Sequence, residues 1–304
     1  MNMAADSHHH HHAPGPDADR RMLGLALGLI VVFMAVEVVA GLVSGSMALL
    51  SDAAHMLTDA AAIALALFAA RWAARPAAGR MTYGWRRVEI LAAQANGLTL
   101  LLLALYLAYQ SIRRFFSPEE VEGQIVLVTA LAGIAVNLVA TWLVGRADRS
   151  SLNVEGAFQH VLTDLFAFIA TAVSAVLILV AGWHWADPVA SLIVVLLMVR
   201  SGIGLLHASG RIFLEAAPAN LDPLTIKVTL IGRHDVEQIH DLHVWEITSG
   251  QPAMSAHVLV EPGADCHAVR LDLESVLSGV FGISHSTLQV DHVRQAPTHQ
   301  HPHH

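Results

Sequence analysis

Residues 156–181 read GAFQHVLTDLFAFIATAVSAVLILVA, a stretch with no Lys or Arg and a single carboxylate, Asp164. It exceeds the roughly 20 apolar residues that an α-helix needs to cross a hydrocarbon core of about 30 Å. The basic-free interval around it runs from Ser150 to Val199, and two more lie between Met22 and Ala70 and between Val88 and Ile112. Six windows emerge: Met22–Val43, Met47–Ala70, Val88–Ile112, Ile125–Val144, Gly156–Ala181 and Pro188–Leu206. Asp187-Pro188 predicts an N-cap and first helical residue for the sixth, and Trp183 and Trp185 suit a membrane interface.

Working outward, the arginines orient the spans. With the N-terminus in the cytoplasm, the inner segments hold Arg20, Arg21, Arg71, Arg75, Arg80, Arg86, Arg87, Arg146, Arg149, Arg200 and Arg211, while the outer loops hold Arg113 and Arg114. The positive-inside rule therefore predicts an integral multi-pass protein of a bacterial inner membrane with both termini cytoplasmic. Met22 onward is too long an apolar run for a cleavable signal peptide.

Composition agrees. Of 304 residues 55% are hydrophobic and 14% charged, with a mean hydropathy of +0.54, whereas soluble domains carry about 25% charged residues. Lys227 is the single lysine and lies outside any Gly-Lys-Ser/Thr context, so no ATP-binding P-loop is visible. Cys266 is the single cysteine, which excludes an intrachain disulfide framework and a CxxC site. A net charge of −8 with scattered arginines argues against nucleic acid.

Two spans carry the same pentapeptide pattern. His55-Met56-Leu57-Thr58-Asp59 and His160-Val161-Leu162-Thr163-Asp164 both read His-x-Leu-Thr-Asp, and a spacing of four puts each His and its Asp on one helix face. An Asp at a span centre costs on the order of 2.5–3.5 kcal/mol. No Lys or Arg lies within the spans to offset it. Protonated carboxyls, or carboxyls bonded to a neighbouring helix, are possible explanations. A divalent cation bound by two carboxylates and two imidazoles fits better, and that set suits zinc. The repeat also fits two inverted three-span halves with a midplane site. Asp52 is a candidate mouth residue or a water-exposed helix-end acid. Gln94, Asn96 and Asn137 either bond a ligand or join helices, Thr58 and Thr163 are expected to bond their own backbones, and Glu37 has no evident role.

The composition changes after Arg211. Residues 211–294 hold five basic and eleven acidic residues, a net of −6. The pattern predicts a helix at Pro223–Leu230, strands at Ile239–Thr248 and Ala253–Glu261, a helix at His267–Val280 and a strand at Thr287–Val293. That αββαβ order predicts a small α+β sandwich with two helices on one sheet face. His240, Asp241 and His243 cluster at a strand start, and His257 can face them from the paired strand. The predicted domains are a His-rich tail (1–20), a six-span membrane domain (21–208), a cytoplasmic metal-binding domain (209–293) and a second His-rich tail (294–304). The His runs read either as tags or as loose metal collectors.

With its six spans, its paired HxxxD sites and its His240-Asp241-Leu242-His243-Val244-Trp245 segment, the chain resembles the cation diffusion facilitator family over about residues 20–293. The resemblance implies an all-α six-helix transmembrane bundle followed by a cytoplasmic ferredoxin-like, metallochaperone-like domain. It also implies a homodimer that exports Zn2+ in exchange for H+. By matching positions, His55, Asp59, His160 and Asp164 would form the transport site, and His240, His257, Asp291 and His267 a regulatory Zn2+ site. Two departures stand out. Residues 75–87 contain no His or Asp where some relatives bind metal, and Gln289 occupies a position where some have His.

These readings predict a proton-coupled antiporter, the protons displacing metal from the same lone pairs. Zn2+ is both substrate and regulatory ligand, and the partners are divalent metal ions, protons, the lipid bilayer and a second copy of the chain. A non-transporting membrane metal sensor is the alternative. An intramembrane metalloenzyme lacks an HExxH motif, and a four-ligand site holds ions too firmly for a channel.

Overall fold

The computed structural model describes residues 16–44, 47–116, 123–183 and 185–293; both His-rich tails lie outside them. Six long helices come first: α1 Pro16–Ser44, α2 Met47–Ala73, α3 Val88–Phe116, α4 Gly123–Val144, α5 Leu152–Ala181 and α6 Ala186–Phe213. Each contains a segment long and apolar enough to cross a membrane. Large apolar side chains such as Val32, Leu105 and Leu196 point outward and exposed, the inverse of a soluble bundle and what a lipid environment requires. The expected sixth-span start is corrected by two residues. Trp185 is the N-cap and Ala186 begins the helix, so Pro188 falls inside the first turn, where no intrahelical N–H is needed.

The bundle packs as two units. Leu23 and Ile30 of α1, Met56 and Ile63 of α2, Ala140 of α4 and Val161 and Phe168 of α5 share one buried cluster. Leu100 and Ala104 of α3 pack with Val194, Met198 and Leu205 of α6 in another. Glycine sets the second contact: a Cβ on Gly202 of α6 would stand 2.8 Å from Leu101 Cγ and 2.9 Å from the Gly97 carbonyl of α3. Those two backbones therefore touch. Just beyond the helix ends, Arg87 and Glu215 pair at 3.2 Å.

The remainder is α7 Pro223–Ile231, β1 Val236–Glu246, β2 Pro252–Val260, α8 Cys266–Phe281 and β3 His285–His292, the predicted αββαβ order. Asp222 caps α7 by accepting from the backbone of Leu224 and Thr225, and Asp265 caps α8 likewise. The sheet runs β1-β2-β3, with β1–β2 antiparallel and β2–β3 parallel across α8. One face is buried by Ile226 and Leu230 of α7 and Leu273 and Leu277 of α8.

The β1–β2 turn joins this domain to the bundle. Thr248 Oγ1 donates to the Arg86 carbonyl at 3.3 Å, Arg87 Nε donates to the Ile247 carbonyl at 3.3 Å, and the Leu152 N–H at the start of α5 donates to Ser249 Oγ at 3.1 Å. Arg20 on α1 donates to the Ala70 carbonyl near the end of α2. The small domain thus sits at the arginine-rich end of the bundle.

Candidate metal centre

Helical periodicity places Asp59 on α2 and His160 and Asp164 on one face of α5, all turned into the bundle. Their exposures are 0%, 1% and 2%. His160 Nε2 lies 3.1 Å from Asp59 Oδ1 and 3.8 Å from Asp164 Oδ2. One ligand atom from each residue falls within 4.8 Å of the others, and no other group of three or more His, Cys, Asp or Glu among the described residues converges in this way. Zinc bonds of about 2.0–2.2 Å in a tetrahedron separate ligand atoms by roughly 3.3 Å, close to the distances found. Two carboxylates side by side in a buried space repel, and a dication between them cancels that charge.

His55 lies on α2 one turn before Asp59; its side chain, like that of Asp52, is outside the described residues. Thr163 bonds its own helix as expected, donating to the Gln159 carbonyl at 2.7 Å. The Thr58 hydroxyl lies 3.4 Å from Asp59 Oδ1. Asn137 bonds within its own helix, to the Gly133 carbonyl. Glu37 on α1 is a third buried carboxyl of the bundle, 4% exposed.

Three polar residues on α5 escaped the sequence reading. Asn153 is fully buried and donates to the Ala66 carbonyl of α2 at 2.8 Å. Gln159 donates to Glu155 and accepts from Ser201 Oγ of α6 at 3.0 Å. Glu155 in turn pairs with Arg149 at 2.8 Å. The signal was present in the four-residue spacing of Glu155, Gln159 and Thr163 along one stripe.

In the small domain the uncovered sheet face carries the predicted histidines. His240 and His257 are direct cross-strand partners, with ring centroids 5.2 Å apart. A bulge after His240 puts Asp241 at φ 52°, where its carboxylate lies 3.0 Å from His243 Nε2 and 3.8 Å from His257 Nε2. The hydrogen bond with His243 holds the Asp241 carboxyl below its usual range. Asp291 stands on β3 and accepts from Gln289 at 2.8 Å. His267 is exposed at the start of α8, and no three of His240, His257, Asp291 and His267 bring ligand atoms within 4.8 Å of one another.

Known proteins with the same organisation supply a comparison. Residues 23–214 match the family described as cation efflux transmembrane domain, and residues 224–293 that described as cation efflux protein, cytoplasmic domain. Zinc transporter ZitB of Escherichia coli is 38% identical over 288 residues, covering 94% of this chain and 91% of the relative. The cadmium, cobalt and zinc/H(+)-K(+) antiporter of Bacillus subtilis is 37% identical over 282 residues, covering 90% and 89%. Metal cation efflux system protein CzcD of Cupriavidus metallidurans is 35% identical over 277 residues, covering 91% and 88%.

Proposed function

The chain belongs to the cation efflux, or cation diffusion facilitator, family of transporters, and from that premise we propose that it exports a divalent metal cation, zinc foremost, in exchange for protons. The observation that carries this reading is the buried convergence of Asp59, His160 and Asp164 from two helices. One imidazole with two carboxylates, completed by His55 one turn from Asp59, is a borderline-soft donor set that favours zinc over manganese. The relatives named for zinc, cadmium and cobalt point to the same range of cargo.

In this reading the deprotonated ligands take the cation from the cytoplasmic side, the end bearing the arginines and the small domain. A change in packing then opens the site to the other side, where protons compete for the same lone pairs and displace the metal. The two packing units provide the moving parts. Asp59, His160 and Asp164 all belong to the α1-α2-α4-α5 unit, so the glycine-sealed α3–α6 pair can rock against it without dismantling the ligand set. The chain works as a homodimer, and His240, His257 and Asp291 on the bare sheet face take up a regulatory zinc ion.

Reconstitution in liposomes holding a pH-sensitive dye tests the proposal. Zinc movement should be accompanied by opposite proton movement, and Asp59→Ala should abolish both. Zinc flux with no proton counterflow would exclude antiport, and full transport by Asp59→Ala would exclude the site.

A further inference from the structure

We propose that the cation reaches the buried site through a polar seam at the arginine-rich end of the bundle, with the amides of Asn153 and Asn96 as a way station for the partly hydrated ion. The inference rests on the transport reading above and adds to it a second, transient cation subsite.

Among the described residues, two buried amide atoms lack protein partners there. Asn153 on α5 is 0% exposed; its Nδ2 is committed to the Ala66 carbonyl of α2, while its Oδ1 meets no donor. Asn96 on α3 is 2% exposed, and its Nδ2 meets no acceptor. Its amide lies over the α5 backbone, since a Cβ on Gly156 would stand 3.5 Å from Asn96 Nδ2. Buried polar atoms are nearly always paired, and an orphan marks a place for water or an ion.

The positions form a ladder to the metal centre. Asn153, Gly156, His160 and Asp164 follow the three- and four-residue spacing of one helix stripe. Asn153 precedes His160 by seven residues and Ala66 follows Asp59 by seven, so both helices put the Asn153–Ala66 bond about 10 Å from the site, at 1.5 Å rise per residue. Asn96, level with Gly156, falls about 6 Å from His160 on the same count. By contrast, neighbouring Gln159 has both ends of its amide occupied, by Glu155 and Ser201.

The chemistry suits a passing cation. A dication loses its water ligands in steps, and a neutral carbonyl oxygen such as Asn153 Oδ1 replaces one without the charge that would trap the ion. The Asn96 amide holds a water still attached to the ion by its N–H, or, turned over, offers its own oxygen in the same place.

Asn96→Leu is the decisive variant, because it breaks no hydrogen bond of the folded chain and a purely structural amide would leave transport kinetics alone. Asn153→Ala is the second. In liposomes each should raise the zinc concentration for half-maximal flux about tenfold, the scale of one lost polar contact. The equilibrium zinc affinity of the detergent-solubilised protein, measured by titration calorimetry against an Asp59→Ala blank, should remain that of the wild type. Unchanged half-saturation in both variants overturns the way station alone. A parallel loss of equilibrium affinity overturns it as well, by assigning the amides to the geometry of the main site. Absence of Asp59-dependent flux in the wild type overturns the transport reading and this inference together.

Discussion

His160 Nε2 lies nearer to Asp59 on the other helix, at 3.1 Å, than to Asp164 on its own, at 3.8 Å. The two HxxxD motifs are therefore not two separate sites. Each helix supplies part of a cluster that the other completes, so the cluster exists only while α2 and α5 stay in register.

Asp164→Asn keeps the shape of the side chain and removes its charge. Zinc affinity should fall at least about a hundredfold, since even outer partners of metal ligands act on a scale of 10–100-fold. Calorimetric titration of the solubilised protein measures it, and unaltered affinity would remove Asp164 from the site.

His160→Asp exchanges the imidazole for a third carboxylate. An oxygen-rich set should shift preference from zinc toward manganese. Competition between the two ions for binding reads the ratio, which should move toward manganese even if total affinity drops.

Two glycines of α6 divide sharply. At Gly202 a Cβ meets Leu101 at 2.8 Å and the Gly97 carbonyl at 2.9 Å, whereas at Gly204 nothing lies within 4 Å. Gly202→Ala should cost about 1–3 kcal/mol through overpacking, and Gly204→Ala should cost nothing or stabilise the helix. Thermal unfolding in detergent compares them directly.

Arg233 and Asp272 fasten the turn after α7 to α8 with paired bonds of 2.8 and 2.7 Å, and these hold the Asp272 carboxyl below its ordinary range. A carboxyl lowered in the folded state stabilises it fully above the unfolded value of about 3.9 and loses that contribution as the pH falls through the folded value. With both side chains nearly half exposed, solvent screening keeps the contribution of the pair small. Hydrogen exchange of α8 should show Arg233→Gln weakening it at neutral pH and matching the wild type once Asp272 is protonated.

The small domain and its flanks carry a net charge of −6, so two copies repel at low ionic strength. If zinc binds at His240 and His257 as proposed, it offsets that charge, and distances between spin labels on two copies should shorten when zinc is added. Asp241→Gly should weaken the response while sparing the fold, because glycine accepts the positive φ of 52° at that position.

The spans were legible because a missing positive charge over more than 20 residues admits few other readings, and the buried cluster of Asp59, His160 and Asp164 because a carboxylate in a span is too costly without a partner. The small domain was legible from turn residues and alternation, its strands shifting by one to three residues at their starts. What the sequence did not disclose depends on which helices touch. Gly97 and Gly202 are ordinary glycines until α3 meets α6, and Asn153 is an ordinary polar residue until Ala66 is found beside it.

The turn Ile247–Gln251 touches residues flanking both packing units, Arg86 and Arg87 ahead of α3 and Leu152 at the head of α5. A displacement of one unit past the other must therefore bend, drag or release this hairpin. In the proposed rocking cycle its stiffness would enter the barrier between the states of the bundle, and the small domain would act as a spring in parallel with the helices.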